Sequence, residues 1–344
     1  MRTLKNFDFK NKRVLVRVDF NVPLNEKGLI SNDFRIRQTI PTIKYLLEQG
    51  AKPILISHLG EPQGREQKYS LVPVALRLKE LSGQKVRFIN DCIGEKVKKE
   101  IEETESGEII LLENLRFYKE EKENDDNFAK ELAKLGDIYV NDAFSACHRP
   151  HASIVGIPKY LPSATGFLLE KEIKVLTNLI EKPQKPLIAI IGGAKVETKT
   201  KLIDKISEKA NFILISGLIQ QEMEEEKIKL KNPQKIVAPV DDIDTFDIGP
   251  KTIDLFKEKI KLAKTIFWNG PVGKTEEKPF QNGSEEIAKA IIKSDALSVA
   301  GGGETVEFIN KIGLAEKFSH VSTGGGAMLE FLSGEKLPGI ESLK

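Results

Sequence analysis

The chain has 344 residues, 40% of them apolar and 30% charged, and its 53 basic and 51 acidic residues leave a net charge of +2. That length favours two domains with ample core, and the interleaved charges argue against a dedicated nucleic-acid or membrane surface. Cys92 and Cys147 lie far apart, MRTLKNFDFKNKR has no apolar leader core, and no window approaches the ~18 apolar residues of a membrane span, so a cytoplasmic protein without disulfide or zinc is expected.

In chain order, strands are predicted at RVLVRVDF (13–20), KPILISH (52–58), KVRFI (85–89), EIILLEN (108–114) and DIYVND (137–142). Helical patterns separate them: TIKYLLEQG, VPVALRLKELSG, EKVKKEIEE and NFAKELAKLG. A long helix is predicted across 166–186, introduced by Pro162 and Gly166 and stopped by Pro183 and Pro186. The second half repeats the plan with strands in PLIAIIGG, NFILIS, KIVAPV, TIFWNG, ALSVAGGG and FSHVSTGGG, and with helices in KTKLIDKISEKA, PKTIDLFKEKIKLAK, SEEIAKAIIKSD and TVEFINKIG. QQEMEEEKIKL (220–230) reads as a charged helix with a solvated face. Strands that are apolar almost throughout imply sheets covered on both faces, so each half is expected to be a parallel αβα sandwich.

Ligands of open parallel sheets bind beyond the carboxyl ends of the strands. In the first half those ends carry Asp19-Phe20-Asn21, His58, Asn114-Leu115-Arg116, Asn141-Asp142, His148-Arg149 and His151, with Arg35 after the first strand. That set suits a small anion. In the second half they carry Gly192-Gly193-Ala194-Lys195, Trp268-Asn269-Gly270-Pro271, Gly301-Gly302-Gly303-Glu304-Thr305 and Thr323-Gly324-Gly325-Gly326. Glycine runs between strand and helix let backbone amides approach phosphates, and Lys195 and Lys199 stand beside one of them. Gly273-Lys274-Thr275 is not a P-loop, because Trp268 occupies the position of its first glycine, and no dinucleotide or protein-kinase signature is present. One anion half-site and one nucleotide half-site describe a small-molecule phosphotransferase.

VRVDFNVPL, RIRQTIPTIKYLL, ISHLG, LLENLRF, VNDAFSACHRPHAS, IGGAKVETK, FDIGP, FWNGPVG, AGGGET and VSTGGGA, in this order, resemble the phosphoglycerate kinase family from about residue 10 to the tail LPGIESLK. The resemblance implies an α/β fold of two Rossmann-like αβα sandwich domains with parallel sheets facing a central cleft, joined by a long helix. It implies a substrate domain over 1–160 with the tail 328–344 packing back on it, an interdomain helix over 161–182 and a nucleotide-binding domain over 183–327. The expected activity is the glycolytic, reversible, Mg²⁺-dependent phosphoryl transfer between 1,3-bisphosphoglycerate and ADP, giving 3-phosphoglycerate and ATP, in a cytoplasmic monomer with no nucleic-acid or membrane partner. A divergent, weakly active or regulatory nucleotide-binding homologue is the alternative.

Carried over position by position, the resemblance gives Asp19, Phe20, Asn21, Arg35, His58, Leu59, Gly60, Glu61, Arg116 and Arg149 to the phosphoglycerate. It gives Gly193, Lys195, Lys199, Asn269, Glu276, Gly301, Gly302, Gly303, Glu304 and Thr305 to the nucleotide, with Glu304 as the metal ligand. Lys199, Lys195 and Arg35 would attend the phosphoryl group in transfer. The chain departs from the family pattern in SHLGEP for SHLGRP, GGGET for GGGDT and WNGPVGKTE for WNGPMGVFE, and is some tens of residues short after NFILIS. Glu61 therefore stands where a substrate-binding arginine is expected. Two readings are open: Arg65 swings in to replace the missing charge while Glu61 turns outward or pairs with it, or one arginine is simply lost and Arg35, Arg116 and Arg149 suffice.

Overall fold

The computed structural model describes residues 1–194 and 196–344, the side chain of Thr198 excepted. Its contacts divide it into two units, residues 1–172 with 336–344, and residues 173–335. The division falls within helix α6 (Phe167–Glu181).

The first unit is built on strands β1 (Arg13–Arg17), β2 (Lys52–Ile56), β3 (Val86–Ile89), β4 (Ile109–Leu112), β5 (Ile138–Asn141) and β6 (Ser163–Thr165). All are parallel, in the order β3-β4-β2-β1-β5-β6. The β1, β2, β4 and β5 strands are buried almost throughout, as the unbroken apolar runs require of a sheet covered on both faces. Helices α1 (Phe34–Glu48), α2 (Val72–Ser82), α3 (Glu95–Glu102), α4 (Lys119–Glu123) and α5 (Asp126–Ala133) make the crossovers. The last helix of the chain, α13 (Pro338–Glu341), docks on this unit, with Gly339 N donating to Cys147 O at 2.8 Å and Ser342 Oγ to Ile154 O at 3.2 Å.

Two boundaries differ from the sequence expectation in ways that matter for the site. The first strand was expected to run to Phe20, but its ladder ends at Arg17, which frees Asp19-Phe20-Asn21 as a loop. The first helical pattern was expected from Thr42; the helix begins at Phe34 and runs through Pro41, a residue that disfavours a helix interior. Asn32 Oδ1 accepts from Phe34 N at 2.8 Å, and the Asp33 carboxylate takes Arg37 at 2.7 Å and Arg77 at 2.7 Å, so the helix start is fixed by side chains that outweigh the proline signal. Arg35 is thereby carried on the first turn of a helix.

The second unit has strands β7 (Leu187–Ile191), β8 (Phe212–Ile215), β9 (Ile236–Val237), β12 (Thr265–Asn269), β13 (Leu297–Gly301) and β14 (His320–Val321), again all parallel, in the order β14-β13-β12-β7-β8-β9. A small antiparallel hairpin of β10 (Asp242–Ile243) and β11 (Asp247–Ile248) precedes helix α9 (Pro250–Leu262). The remaining helices are α7 (Val196–Ser207), α8 (Gly217–Glu225), α10 (Asn282–Lys293), α11 (Gly303–Lys311) and α12 (Gly325–Leu332). From β7 the chain winds outward through β8 and β9, then returns to β12 on the other side. The ends of β7 and β12 therefore flank a topological switch point, where ligands of such sheets bind.

Candidate active site

At the carboxyl edge of the first sheet, Asp19 gathers the loop after β1. Its carboxylate takes Arg35 Nη1 at 2.9 Å, Asn21 N at 3.0 Å and the Ser145 hydroxyl. Burial alone would raise its pKa, but Arg35 leads the opposing contacts and holds the carboxyl far below the usual range. Asn21 O accepts from Arg35 Nη1 at 2.8 Å, and Asn21 Oδ1 accepts from Gly60 N at 2.9 Å, which ties the β1 loop to the β2 loop. Phe20 is buried and its amide donates to Ser57 Oγ at 2.9 Å. Gly60 has φ +64°, and a Cβ there would lie 2.3 Å from the Tyr69 ring, so only glycine lets the loop pass at this point. Leu59 is buried, and its carbonyl accepts from Asn114 Nδ2 at 2.7 Å.

His58 is held by a residue that the sequence reading passed over. Arg17, fully buried at the end of β1, places Nη2 3.2 Å from His58 Nδ1. A guanidinium only donates, so Nδ1 must accept and the ring proton sits on Nε2. Burial, aided by Arg17, Arg116 and Arg35 against the pull of Asp19, keeps this imidazole neutral. Arg17 Nε donates to Ser153 Oγ at 2.8 Å, and Ser153 N donates to the fully buried Glu121 at 2.9 Å. This charge network sits under the anion site and fixes one histidine tautomer. Its one sequence signal was an arginine at the carboxyl end of the apolar run Val14-Leu15-Val16.

Glu61 does not turn away from the cations. Arg116 Nη1 donates to Glu61 Oε1 at 2.5 Å and to Gly60 O at 2.8 Å; Arg149 Nη1 reaches the same Oε1 at 3.4 Å, and Lys122 Nζ reaches Oε2 at 3.3 Å. Arg65 is not the compensating partner. Its Nη2 donates to Asn90 O and Oδ1, each at 2.6 Å, and its guanidinium stacks 5.7 Å from the Phe117 ring centroid. Asn90, the Asp91 carboxylate at 4.0 Å and the Phe117 ring together engage it, not Glu61. Of the two open readings, Arg65 as the partner of Glu61 is the one that this arrangement does not match.

In the second unit the glycine loops interlock. Gly192 N donates to Asn269 O at 2.9 Å and Gly193 N to Pro271 O at 2.8 Å. Gly270 has φ +85°, and a Cβ there would lie 1.9 Å from Gly192 O, so the two loops cross backbone against backbone. Asn269 Nδ2 donates to Gly301 O at 2.9 Å, and the Thr305 hydroxyl accepts from Gly270 N at 2.7 Å. Gly301, Gly302, Gly303 and Glu304 lead into α11, and Gly325 lies 3.6 Å (by its would-be Cβ) from Gly303 N. Asn269, Thr305 and the loops after β7, β12, β13 and β14 are brought to one edge.

Lys199 is buried, and its ammonium donates to Gly192 O. Burial pulls its pKa down to about 8, against the attraction of Glu304 and Glu222. A Cβ on Gly193 would lie 3.0 Å from Lys199 Nζ and 2.9 Å from Glu304 Oε2, so ammonium and carboxylate face one another over this glycine. Glu276 is exposed in the turn after β12, and Lys195 lies outside the described residues. The acidic segment expected to be a plain solvated face supplies Glu222 instead. Its Oε2 accepts from Val196 N at 2.7 Å, capping α7 where helix polarity favours an anion.

Among the described residues no three His, Cys, Asp or Glu side chains gather as a metal cluster, and no helix is long and apolar enough to cross a membrane. Glu304 alone fits a Mg²⁺ ion of the kind held by one carboxylate plus substrate phosphates, since its Oε2 reaches the glycine loops beside Lys199.

The family model described as Phosphoglycerate kinase matches residues 4–227 and 219–335. The phosphoglycerate kinase of Dictyoglomus turgidum is 46% identical over 387 aligned residues, covering 99% of this chain and 98% of the relative. That of Aquifex aeolicus is 43% identical over 388, with the same shares covered. The alignments are longer than the chain, so these relatives carry residues with no counterpart here. Among solved structures, phosphoglycerate kinase from Pyrococcus horikoshii OT3 superposes with a TM-score of 0.90 at 34% identity, over 100% of this chain and 98% of that one. The enzyme from Coxiella burnetii gives 0.82 at 35% identity, over 99% and 98%.

Proposed function

The chain belongs to the phosphoglycerate kinase family of phosphotransferases with a carboxyl acceptor, and from that premise we propose that it interconverts 1,3-bisphosphoglycerate and ADP with 3-phosphoglycerate and ATP, dependent on Mg²⁺. The observation that carries the reading is that each unit holds its own half-site. One has Arg35, Arg116, Arg149, Asp19 and a neutral His58 on one sheet edge; the other has interlocked glycine loops with Lys199 and Glu304 on the corresponding edge of the second sheet. Guanidinium forks suit a substrate with a carboxylate at one end and a phosphate at the other, and backbone amides suit a polyphosphate.

In the direction of ATP use, a carboxylate oxygen of 3-phosphoglycerate attacks the γ-phosphorus, the bond to the bridging oxygen breaks, and ADP leaves with that electron pair. The acceptor is already ionised at neutral pH, so no general base is required. Asp19, saturated by Arg35, Asn21 and Ser145, acts by placing the glycerate hydroxyl region together with Asn21. Arg35 and Lys199 neutralise the transferring phosphoryl group from its two sides. Asn269, Gly301 to Gly303 and Thr305 shape the phosphate cradle, and Glu276 serves the ribose. Glu304 would hold Mg²⁺, which when bound neutralises phosphate charge. The half-sites must meet with water excluded, so domain closure, with α6 and the segment near Gly326 as hinges, belongs to the mechanism. We place the protein in the cytoplasm as a monomer.

The contact of Glu61 with Arg116 favours a second reading, a weakly active regulatory homologue. Trapping the acyl phosphate separates the two. With ATP, 3-phosphoglycerate, Mg²⁺ and hydroxylamine, hydroxamate is expected to accumulate over many turnovers; none beyond one equivalent of enzyme would rule out the kinase reading.

A further inference from the structure

We propose that Glu61 is a displaceable internal anion: it occupies the place of the substrate's anionic end between Arg116, Lys122 and Arg149, and sets the affinity for 3-phosphoglycerate by competing with it. The proposal rests on the assignment of Arg116 and Arg149 to that substrate.

Both carboxylate oxygens of Glu61 are engaged by cations. Oε1 takes Arg116 at 2.5 Å and Arg149 at 3.4 Å, and Oε2 takes Lys122 at 3.3 Å. The partners differ in freedom. The Arg116 side chain is 2% exposed and pinned through Gly60 O, whereas the Glu61 side chain is 54% exposed. The carboxylate can therefore leave while the arginine stays. The loop below it does not need to move, because Gly60 is held by Asn21 Oδ1 and its carbonyl by Arg116.

The site is also under-filled by its occupant. Arg116 Nε is buried and has no hydrogen-bond acceptor among the described residues, so this guanidinium is not fully satisfied with Glu61 in place. A side-chain carboxylate spread over three cations brings a single negative charge, and a phosphate or free carboxylate arriving at Arg116 can take both edges of the fork. Only the glutamate end of this pair faces solvent, so it is the end that an arriving substrate charge can displace. Removing the Glu61 charge would leave the same arginines with no anion to evict.

Calorimetric binding of 3-phosphoglycerate to the wild type, Glu61→Gln and Glu61→Ala decides the matter. Both variants are expected to bind about three- to tenfold more tightly, the KM for 3-phosphoglycerate falling alongside while the KM for ATP moves less than twofold. If Glu61 is instead a strut that orients Arg116, both variants bind with unchanged or weaker affinity, and the proposal is overturned. Should no form bind 3-phosphoglycerate, the functional assignment fails. The claim about Glu61 is then read from sulfate titrations followed by thermal melting: larger sulfate stabilisation of the variants upholds it, and equal stabilisation refutes it.

Discussion

Lys199 carries its charge close to the point of losing it. Its ammonium is buried, tied to Gly192 O, and drawn down to about 8 by desolvation that Glu304 and Glu222 only partly offset. At pH 7 the cation prevails; above pH 8 the free enzyme increasingly carries a neutral amine. The kcat/KM for ATP is therefore expected to fall on an alkaline limb centred near pH 8. Bound phosphate favours the ammonium, so the corresponding limb of kcat lies at higher pH. Lys199→Arg should remove the limb, and Lys199→Ala should lower kcat by about 10²–10³ while ATP KM changes less than tenfold. Losses of equal size in binding and rate would deny the lysine a role in the transition state. That Lys199 stands beside a glycine run at a strand end was legible in the sequence. Arg17, Glu121 and the destination of Glu61 were not, because each depends on partners from distant segments, and spacing along the chain does not reveal which of several cations a carboxylate will meet.

The elements show what local pattern carries and where tertiary contacts overrule it. Helix α8 looked like a solvated acidic surface, yet Glu222 caps α7; a run of glutamates does not say which of them faces inward. Helix α1 passes through Pro41 because Asn32 and Asp33 anchor its start. Helix α6 was legible from its flanking prolines and glycine, but its anchor was not. Asp142, fully buried at the end of β5, accepts from Leu168 N at 2.9 Å and Leu169 N at 3.2 Å, while its Oδ2 is buried with no partner among the described residues. Burial pushes its pKa up to about 6, more than the Thr42 hydroxyl and these two amides pull it down. A folded-state pKa above the unfolded value means that its contribution to stability is full below about pH 4 and lost as pH rises through 6. Asp142→Asn keeps an acceptor for the helix amides and has no charge to bury. Relative to the wild type, it is expected to gain up to about 2 kcal/mol in chemical unfolding between pH 4 and pH 8. A difference that does not vary with pH would show that Asp142 stays ionised throughout.

For the molecule as a whole, five strands of the first parallel sheet and all six of the second were readable from apolar runs, since a strand covered on both faces has no polar alternation to lose. The short β6 and the β10–β11 hairpin were not, being three and two residues long with no run to detect. The alignments with its relatives are longer than the chain, which still places glycine loops at β7, β12, β13 and β14 on one edge. The central claim is that these loops and the arginine half-site together form a working kinase despite Glu61 and Glu304. Steady-state turnover of the wild-type chain with saturating 3-phosphoglycerate, ATP and Mg²⁺, coupled to removal of the acyl phosphate, tests it most directly. The expected kcat lies within the usual kinase range of ~1–100 s⁻¹ and vanishes without 3-phosphoglycerate; a kcat below ~1 s⁻¹, or ATP consumption that ignores 3-phosphoglycerate, would contradict it.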